Sequence, residues 1–368
     1  MARRAQALVL SGLIGVCAVL TTAPAAAQTP DRDEPIRQAR EAFQKRDRNK
    51  LASLRNQVVE GRHPLAPWVD YWELNSRLFE VGTEEVDAFY ARWPGSYVED
   101  RLRNDWLLEL GRRRNWAAFT RDHPRFRMND DREVQCYALQ AELEAGRDVR
   151  EAALRAWMVQ KEADNGCQLL AQTLFDKGQI SKDDVWRKIR HAVEHNRQRQ
   201  ARSAAGLLGD GVAKPLAELM DNPATYLKRR ASAVGQHRAE LTAAAIARLA
   251  ASDPEAAASQ LSDRWDGPLG AEHAAWAWAI TAKQGALALH ADSLAWSRKA
   301  WERLPRKQAG LPDWSDETLG WHARAALRLG TGAERWNGAL QAIEAMSTAE
   351  RNEAVWQYWR ARAHLALA

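Results

Sequence analysis

Two histidines one helical turn apart, with a glutamate beside the second, occur in HAVEH: His191, Glu194 and His195. The order matches H-x-x-E-H, in which paired imidazoles hold zinc and the carboxylate handles a proton. The same stretch repeats Val185, Trp186, Ile189 and Val193 at helical spacing, so the wheel buries these and turns His191 and His195 toward solvent beside Lys188. No third ligand with supporting spacing accompanies them, and the expectation is a solvated polar face that holds no metal.

Tryptophan is the other candidate, because an indole face suits the apolar face of a pyranose. The chain has 17, some in pairs such as Trp68/Trp72, Trp276/Trp278 and Trp356/Trp359. Trp72, Trp276 and Trp359 are taken as candidate sugar contacts, although most tryptophans share a stripe with Leu, Ile and Ala and so belong to helix packing. The basic runs Arg112 to Arg114 and Lys228 to Arg230 complement helix ends. GDGVAK lacks the preceding strand and the spacing of a phosphate loop, G-x-S-x-G does not occur, and no carboxylate stands in a pocket-like segment of the kind acid catalysis needs. No catalytic residue and no cofactor follow from these motifs.

The elements that must position these residues are helices. From Glu34 onward the apolar pattern is amphipathic helix in pieces of about 10 to 16 residues, without strand alternation. Ser181 with Asp184, Ser252 with Glu255 and Ser347 with Glu350 have capping-box spacing, and Gly82, Gly111, Gly146, Gly178 and Gly330 follow the ends of apolar stretches, as left-handed C-terminal caps do. Short helices joined by short turns read as an all-α solenoid of stacked helical hairpins, each burying its apolar face on the next. Small residues facing bulky ones, for example Ala138, Ala141 and Ala145, then Ala152, Ala153 and Ala156, give a loose tetratricopeptide-like spacing without a strict period. A sub-boundary is expected near residues 206–215, where an Arg/Gln/Ala-rich stretch gives way to GDGVAKP.

The start is read separately. Arg3 and Arg4, an apolar run from Leu8 to Leu20 and the small residues Ala25 and Ala27 make residues 1–27 an export signal cut after Ala27, leaving residues 28–368 as the superhelical domain. The run is short for a membrane span, so no stable anchor is expected after cleavage. Without the signal the formal charge falls from +5 to +3, which does not argue for nucleic acid. Two cysteines are left, Cys136 and Cys167, and export into an oxidising compartment predicts one disulfide between them; two buried free thiols are the alternative.

Three stretches taken in order resemble the large soluble lytic murein transglycosylases: HPLAPWVDYWELNSRL with VDAFYARWPGSYVEDRLRNDWLLELGRRRNWAAF, then CYALQAELEAG through NGCQLLAQTLFDKGQISKDDVWRKIRHA, then ERWNGALQAIEAMSTAERNEAVWQYWRARA. The resemblance runs from about Glu34 to Ala368. It implies a periplasmic, U-shaped superhelix that a linker domain closes into a ring. It also implies peptidoglycan glycan strands as partner, and a goose-lysozyme-like domain that cleaves between N-acetylmuramic acid and N-acetylglucosamine with 1,6-anhydro formation. In that domain one Glu, usually followed by Ser, is acid and then base; this sequence holds no Glu-Ser pair. The last helix keeps its apolar spacing to the end, with Trp356, Trp359 and Leu367 expected to want cover, so Ala368 reads as a truncation before the linker and catalytic domains. The expected role is the non-catalytic superhelical part of such an enzyme. A free-standing periplasmic helical-repeat scaffold for other proteins is the alternative.

Overall fold

The computed structural model describes residues 33–304 and 312–368; the export signal read at residues 1–27 lies outside them. The described residues contain helices and no strand, as the apolar spacing predicts. They divide into two compact units, the first ending at Pro94 and the second running from Gly95 to Ala368.

In the first unit, α1 (Glu34–Lys45), α2 (Arg48–Glu60) and α3 (Ala66–Ser76) pack on one another and are followed by α4 (Thr83–Arg92). Ile36, Ala39, Ala42, Leu51, Leu54, Val58 and Val69 are buried together, and Phe43, Trp72 and Trp93 close over them. Asp70 is 1% exposed in this apolar setting, which is tolerable because its carboxylate is fully engaged. It accepts from Arg55 Nε at 2.7 Å, Arg92 Nε at 2.9 Å and Trp93 Nε1 at 2.7 Å, tying α2, α3 and the end of α4 together.

The second unit begins with α5 (Tyr97–Arg112), α6 (Trp116–Asp122), α7 (Arg132–Glu144), α8 (Arg150–Val159), α9 (Asn165–Asp176), α10 (Lys182–Glu194) and α11 (Gln198–Gly206). It continues with α12 (Asp210–Asp221), α13 (Pro223–Arg229), α14 (Gln236–Ala250), α15 (Pro254–Gln260) and α16 (Gly270–Leu287). The last five are α17 (Ser293–Arg303), α18 (Asp316–Leu329), α19 (Gly332–Glu344), α20 (Thr348–Arg351) and α21 (Ala354–Leu367). Neighbours stack in chain order: α10 on α11, α11 on α12, α16 on α17, α18 on α19 and α19 on α21, with α14 and α18 also against α16. Alanine makes this stacking close. Ala243, Ala244, Ala245 and Ala247 in α14 and Ala274, Ala275, Ala277 and Ala279 in α16 are all buried, so helix axes approach closely at these positions. Residues 206–215 form the end of α11, the turn after it and the start of α12, inside this second unit.

Ser181 and Asp184 make the full reciprocal capping box, and Ser347 accepts from Glu350 N. Ser252 does not start a helix. The cap of α15 is Asp253, whose carboxylate takes Ala256 N, because Pro254 sets the first helical position one residue later than the box spacing places it. Gly146 and Gly178 have the left-handed φ expected of them, +80° and +69°. Gly82 instead precedes α4 in extended conformation, Gly330 ends α18 at φ −69°, and Gly111 lies inside α5. What requires glycine at position 111 is packing: a Cβ there would lie 2.3 Å from the ring of Tyr137 on α7.

Cys136 on α7 and Cys167 on α9 are joined, with Cα atoms 4.9 Å apart and both residues fully buried. The last helix is covered where bare tryptophan was expected. Trp356 is 2% exposed, packed on Leu319, Ala323 and Ile343, and donates to Glu350 Oε1 at 2.7 Å; Trp359 packs against the same cluster. The large apolar residues that α21 does expose are Val355, Tyr358 and Leu365.

Candidate functional site

Part of the HAVEH motif and one candidate tryptophan, Trp276, meet in one place. A cavity of about 270 Å³ lies between the end of α8, the polar face of α10, Trp276 of α16 and the residues that lead into α18. Its walls include Arg187, Arg190 and His191 from α10 and Asp313, Trp314 and Ser315 before α18.

Helix α10 carries charge into the interior, contrary to the solvated face expected of it. Lys188 is completely buried, and its Nζ donates to the carbonyl oxygens of Trp157, Met158 and Gln160, the last two at 3.3 Å. These carbonyls are left over where α8 ends, so an ammonium is a natural cap for them. Burial, helped by Arg197, pulls the lysine down to about 7. Arg190 forms a fork onto Glu240 at 2.6 and 2.8 Å, reaches Glu272 at 2.9 Å, and lies 5.7 Å from the ring centroid of Trp276. Burial works against its charge, but the two carboxylates outweigh it and raise its pKa. A helix wheel counts each of these side chains as polar and therefore outward; their partners lie on neighbouring helices that a wheel does not see.

The H-x-x-E-H residues do not converge as a zinc site. The rings of His191 and His195 lie tilted to each other with centroids 4.4 Å apart, and His195 Nδ1 donates to the carbonyl of His191 at 2.8 Å. The side chains that do gather are Glu194, His195 and Glu317, whose ligand-type atoms lie within 4.8 Å of one another. A lysine ammonium already supplies the cation there: Lys283 Nζ is 3.0 Å from both Glu194 Oε1 and Glu317 Oε2. Burial opposes ionisation of Glu194, but Lys283 and the hydroxyls of Ser315 and Thr318 overcome it and hold the carboxyl below its ordinary value. A general acid for glycoside cleavage needs the opposite shift.

His191 differs from its neighbours. Its Nδ1 is enclosed and has no hydrogen-bond partner among the described residues, and burial, followed by the neighbouring His195 ring, lowers it to about 4. It is a neutral imidazole lining a small cavity with two indoles, an arrangement suited to holding a small polar group.

Two carboxyls are held above their usual range, and both serve the start of α9. Asp164, raised by burial, accepts from Cys167 N at 2.7 Å; Glu133, raised by burial and by Asp164, accepts from Gly166 N at 3.2 Å. Engaged with helix-end amides, they bind structure in place.

The three candidate sugar contacts fall in different settings. Trp276 lines the cavity but is 2% exposed, so it offers no open ring face. Trp72 is half-buried in the first unit and stacks on Phe43, centroids 6.1 Å apart; Trp359 is half-buried beside Tyr358. Eight of the 17 tryptophans are buried and none is fully exposed, so packing accounts for most of them. Sequence reasoning missed Trp314 and Lys283. The signal for Lys283 was present, a lone charge closing the apolar run AAWAWAITAK of a helix buried almost all round.

No protein-family model and no curated protein matches the chain. Solved structures do. Against an inactive mutant of the lytic transglycosylase Slt from Pseudomonas aeruginosa the TM-score is 0.52 at 23% identity, over 91% of this chain and 53% of that one. The 70 kDa soluble lytic transglycosylase from Escherichia coli gives 0.47 at 20% identity, and the complex of a 70 kDa soluble lytic transglycosylase with bulgecin A gives 0.46 at 19%, with the same coverage. The chain therefore spans about half the length of these proteins, and across nearly all of its own length it has the helical fold of part of the Pseudomonas enzyme.

Proposed function

We propose that the chain is the superhelical, non-catalytic part of a periplasmic lytic transglycosylase, holding peptidoglycan glycan strands or positioning a catalytic domain on them. The observation that carries this reading is the fold shared with Slt over 91% of this chain and about half of that one. The ordered sequence resemblance from about Glu34 to Ala368 supports it. So does the state of the carboxyls: Glu194 is lowered and saturated, and Glu133 and Asp164 are occupied by amides, so none of the three is placed as an acid over a glycosidic oxygen. The signal at residues 1–27 and the Cys136–Cys167 bridge agree with an oxidising, extracytoplasmic setting. In this reading a linker and a catalytic domain of the parent enzyme are the protein partners, and glycan cleavage belongs to the latter.

The test is incubation of the purified chain with peptidoglycan sacculi. It is expected to pellet with them and to release no 1,6-anhydro muropeptides. Failure to pellet would overturn the murein reading in favour of a protein-binding scaffold. Anhydro products that vanish when a single Glu of this chain is changed to Gln would overturn the non-catalytic one.

A further inference from the structure

A second hollow is larger than the α10 cavity. It is a groove of about 500 Å³ between α17 and α19, floored where α18 and α19 come close. Gly338 makes that approach possible, since a Cβ on it would lie 3.0 Å from the Cβ of Ala326. Asn337 and Gln341 stand one turn apart on α19 and line the groove, both exposed, and neither amide has a hydrogen-bond partner among the described residues. Glu302 of α17 is likewise exposed and unpaired among them, while Arg298 is matched by Glu334. The aromatic member is Trp301, half-buried, its ring edge-on to Trp314 with centroids 4.8 Å apart, so the indole is held in place.

We propose that this groove is a subsite for a neutral, N-acetylated sugar unit of a glycan strand. The inference rests on the murein reading above and deepens it. An apolar ligand would bury two amides and a carboxylate without partners, which is costly. A phosphorylated or otherwise anionic ligand would meet an unpaired Glu302 and an arginine already neutralised. A hydroxyl-rich ring with an acetamido group satisfies all of it: the amides of Asn337 and Gln341 give and accept hydrogen bonds, Glu302 accepts from a hydroxyl, and Trp301 offers aromatic surface to C–H groups. The unpaired carboxylate also sets a preference, for N-acetylglucosamine over N-acetylmuramic acid with its lactyl carboxylate.

Calorimetric titration with the β-1,4-linked tetramer of N-acetylglucosamine tests this on the whole chain. Saturable binding is expected for the unaltered protein. N337A/Q341A should weaken it by roughly tenfold or more, the effect of two lost hydrogen bonds, with no change in melting temperature because both side chains are exposed on a helix. Glu302→Gln, whose amide oxygen still accepts from the hydroxyl but without charge, should weaken tetramer binding severalfold and gain binding of N-acetylmuramic acid. No binding of the tetramer at millimolar concentration, equal binding by the double variant, or no gain from E302Q would each overturn the assignment. The murein reading fails separately: if the double variant still pellets with sacculi, the groove falls and that reading stands, whereas variant-sensitive tetramer binding by a chain that ignores sacculi leaves the groove and removes the reading.

Discussion

Lys283 Nζ and Glu194 Oε1 meet at 3.0 Å with both side chains only 3% exposed, joining α16 to the end of α10 from positions 89 residues apart in the chain. Both charges are buried, so the pair is held by mutual need. Removing one partner strands the other in a poorly solvated site, and Ser315 and Thr318 can stabilise the glutamate only in part. Lys283→Met is therefore expected to cost about 3 to 5 kcal/mol in denaturant unfolding, and the double variant with Glu194→Gln to recover a measurable share. Equal stability of the single and double variants would show that the pair is not coupled.

Acid should weaken the fold through a buried histidine. His322 is fully buried, its Nδ1 2.7 Å from Ser297 Oγ and its Nε2 donating to the carbonyl of Ala279 at 3.0 Å, and burial lowers it to about 4. The unfolded chain, with an ordinary histidine near 6.5, binds more protons between those values, so stability is full above pH 6.5 and is lost as pH falls toward 4. The loss from this group is about 3 kcal/mol, and His191 acts in the same direction. Melting temperature measured from pH 7 to 4 should fall, and His322→Asn, though less stable at pH 7, should show a shallower fall. An unchanged slope in the variant would assign the acid loss elsewhere.

The stacked helices were legible because amphipathic spacing and capping chemistry are local, and Ser181 with Asp184 is read from four residues. The site was legible only in fragments. His191 and Glu194 of HAVEH line one cavity with Trp276, but the face of α10 read as solvated holds buried charge at Lys188, and Arg190 and Glu194 went unremarked, since what makes a buried charge tolerable is a partner from a distant helix: Glu240 for Arg190 and Lys283 for Glu194. Gly111 teaches the same lesson. Its sequence context suits a helix end, yet its cause is the Tyr137 ring one helix away.

The bridge between Cys136 and Cys167 closes a loop of 31 positions, which in the loop-entropy account stabilises by about 3 to 4 kcal/mol. Reduction, or replacement of both cysteines by Ala, should lower the denaturant midpoint accordingly. Mass spectrometry of unreduced peptides from exported protein should find the cross-linked pair. Two free thiols there would defeat the assignment.

The last helix separates covered from uncovered apolar residues, and two substitutions distinguish them. Trp356 lies so close to α18 that a Cβ on Gly320 would be 3.0 Å from its ring, and its Nε1 is bonded to Glu350, so truncation to Ala should leave a large cavity and an orphaned carboxylate. A loss of about 3 to 5 kcal/mol is expected. Leu365, on the same helix, is 77% exposed, so its removal gives up little buried surface. Leu365→Glu should leave unfolding free energy within about 0.5 kcal/mol and reduce self-association at high concentration, because exposed Val355, Tyr358 and Leu365 form the apolar surface of α21 that remains open. Equilibrium unfolding paired with light scattering reads both effects. A Trp356→Ala protein as stable as the parent would mean that α21 is not docked on α18 and α19.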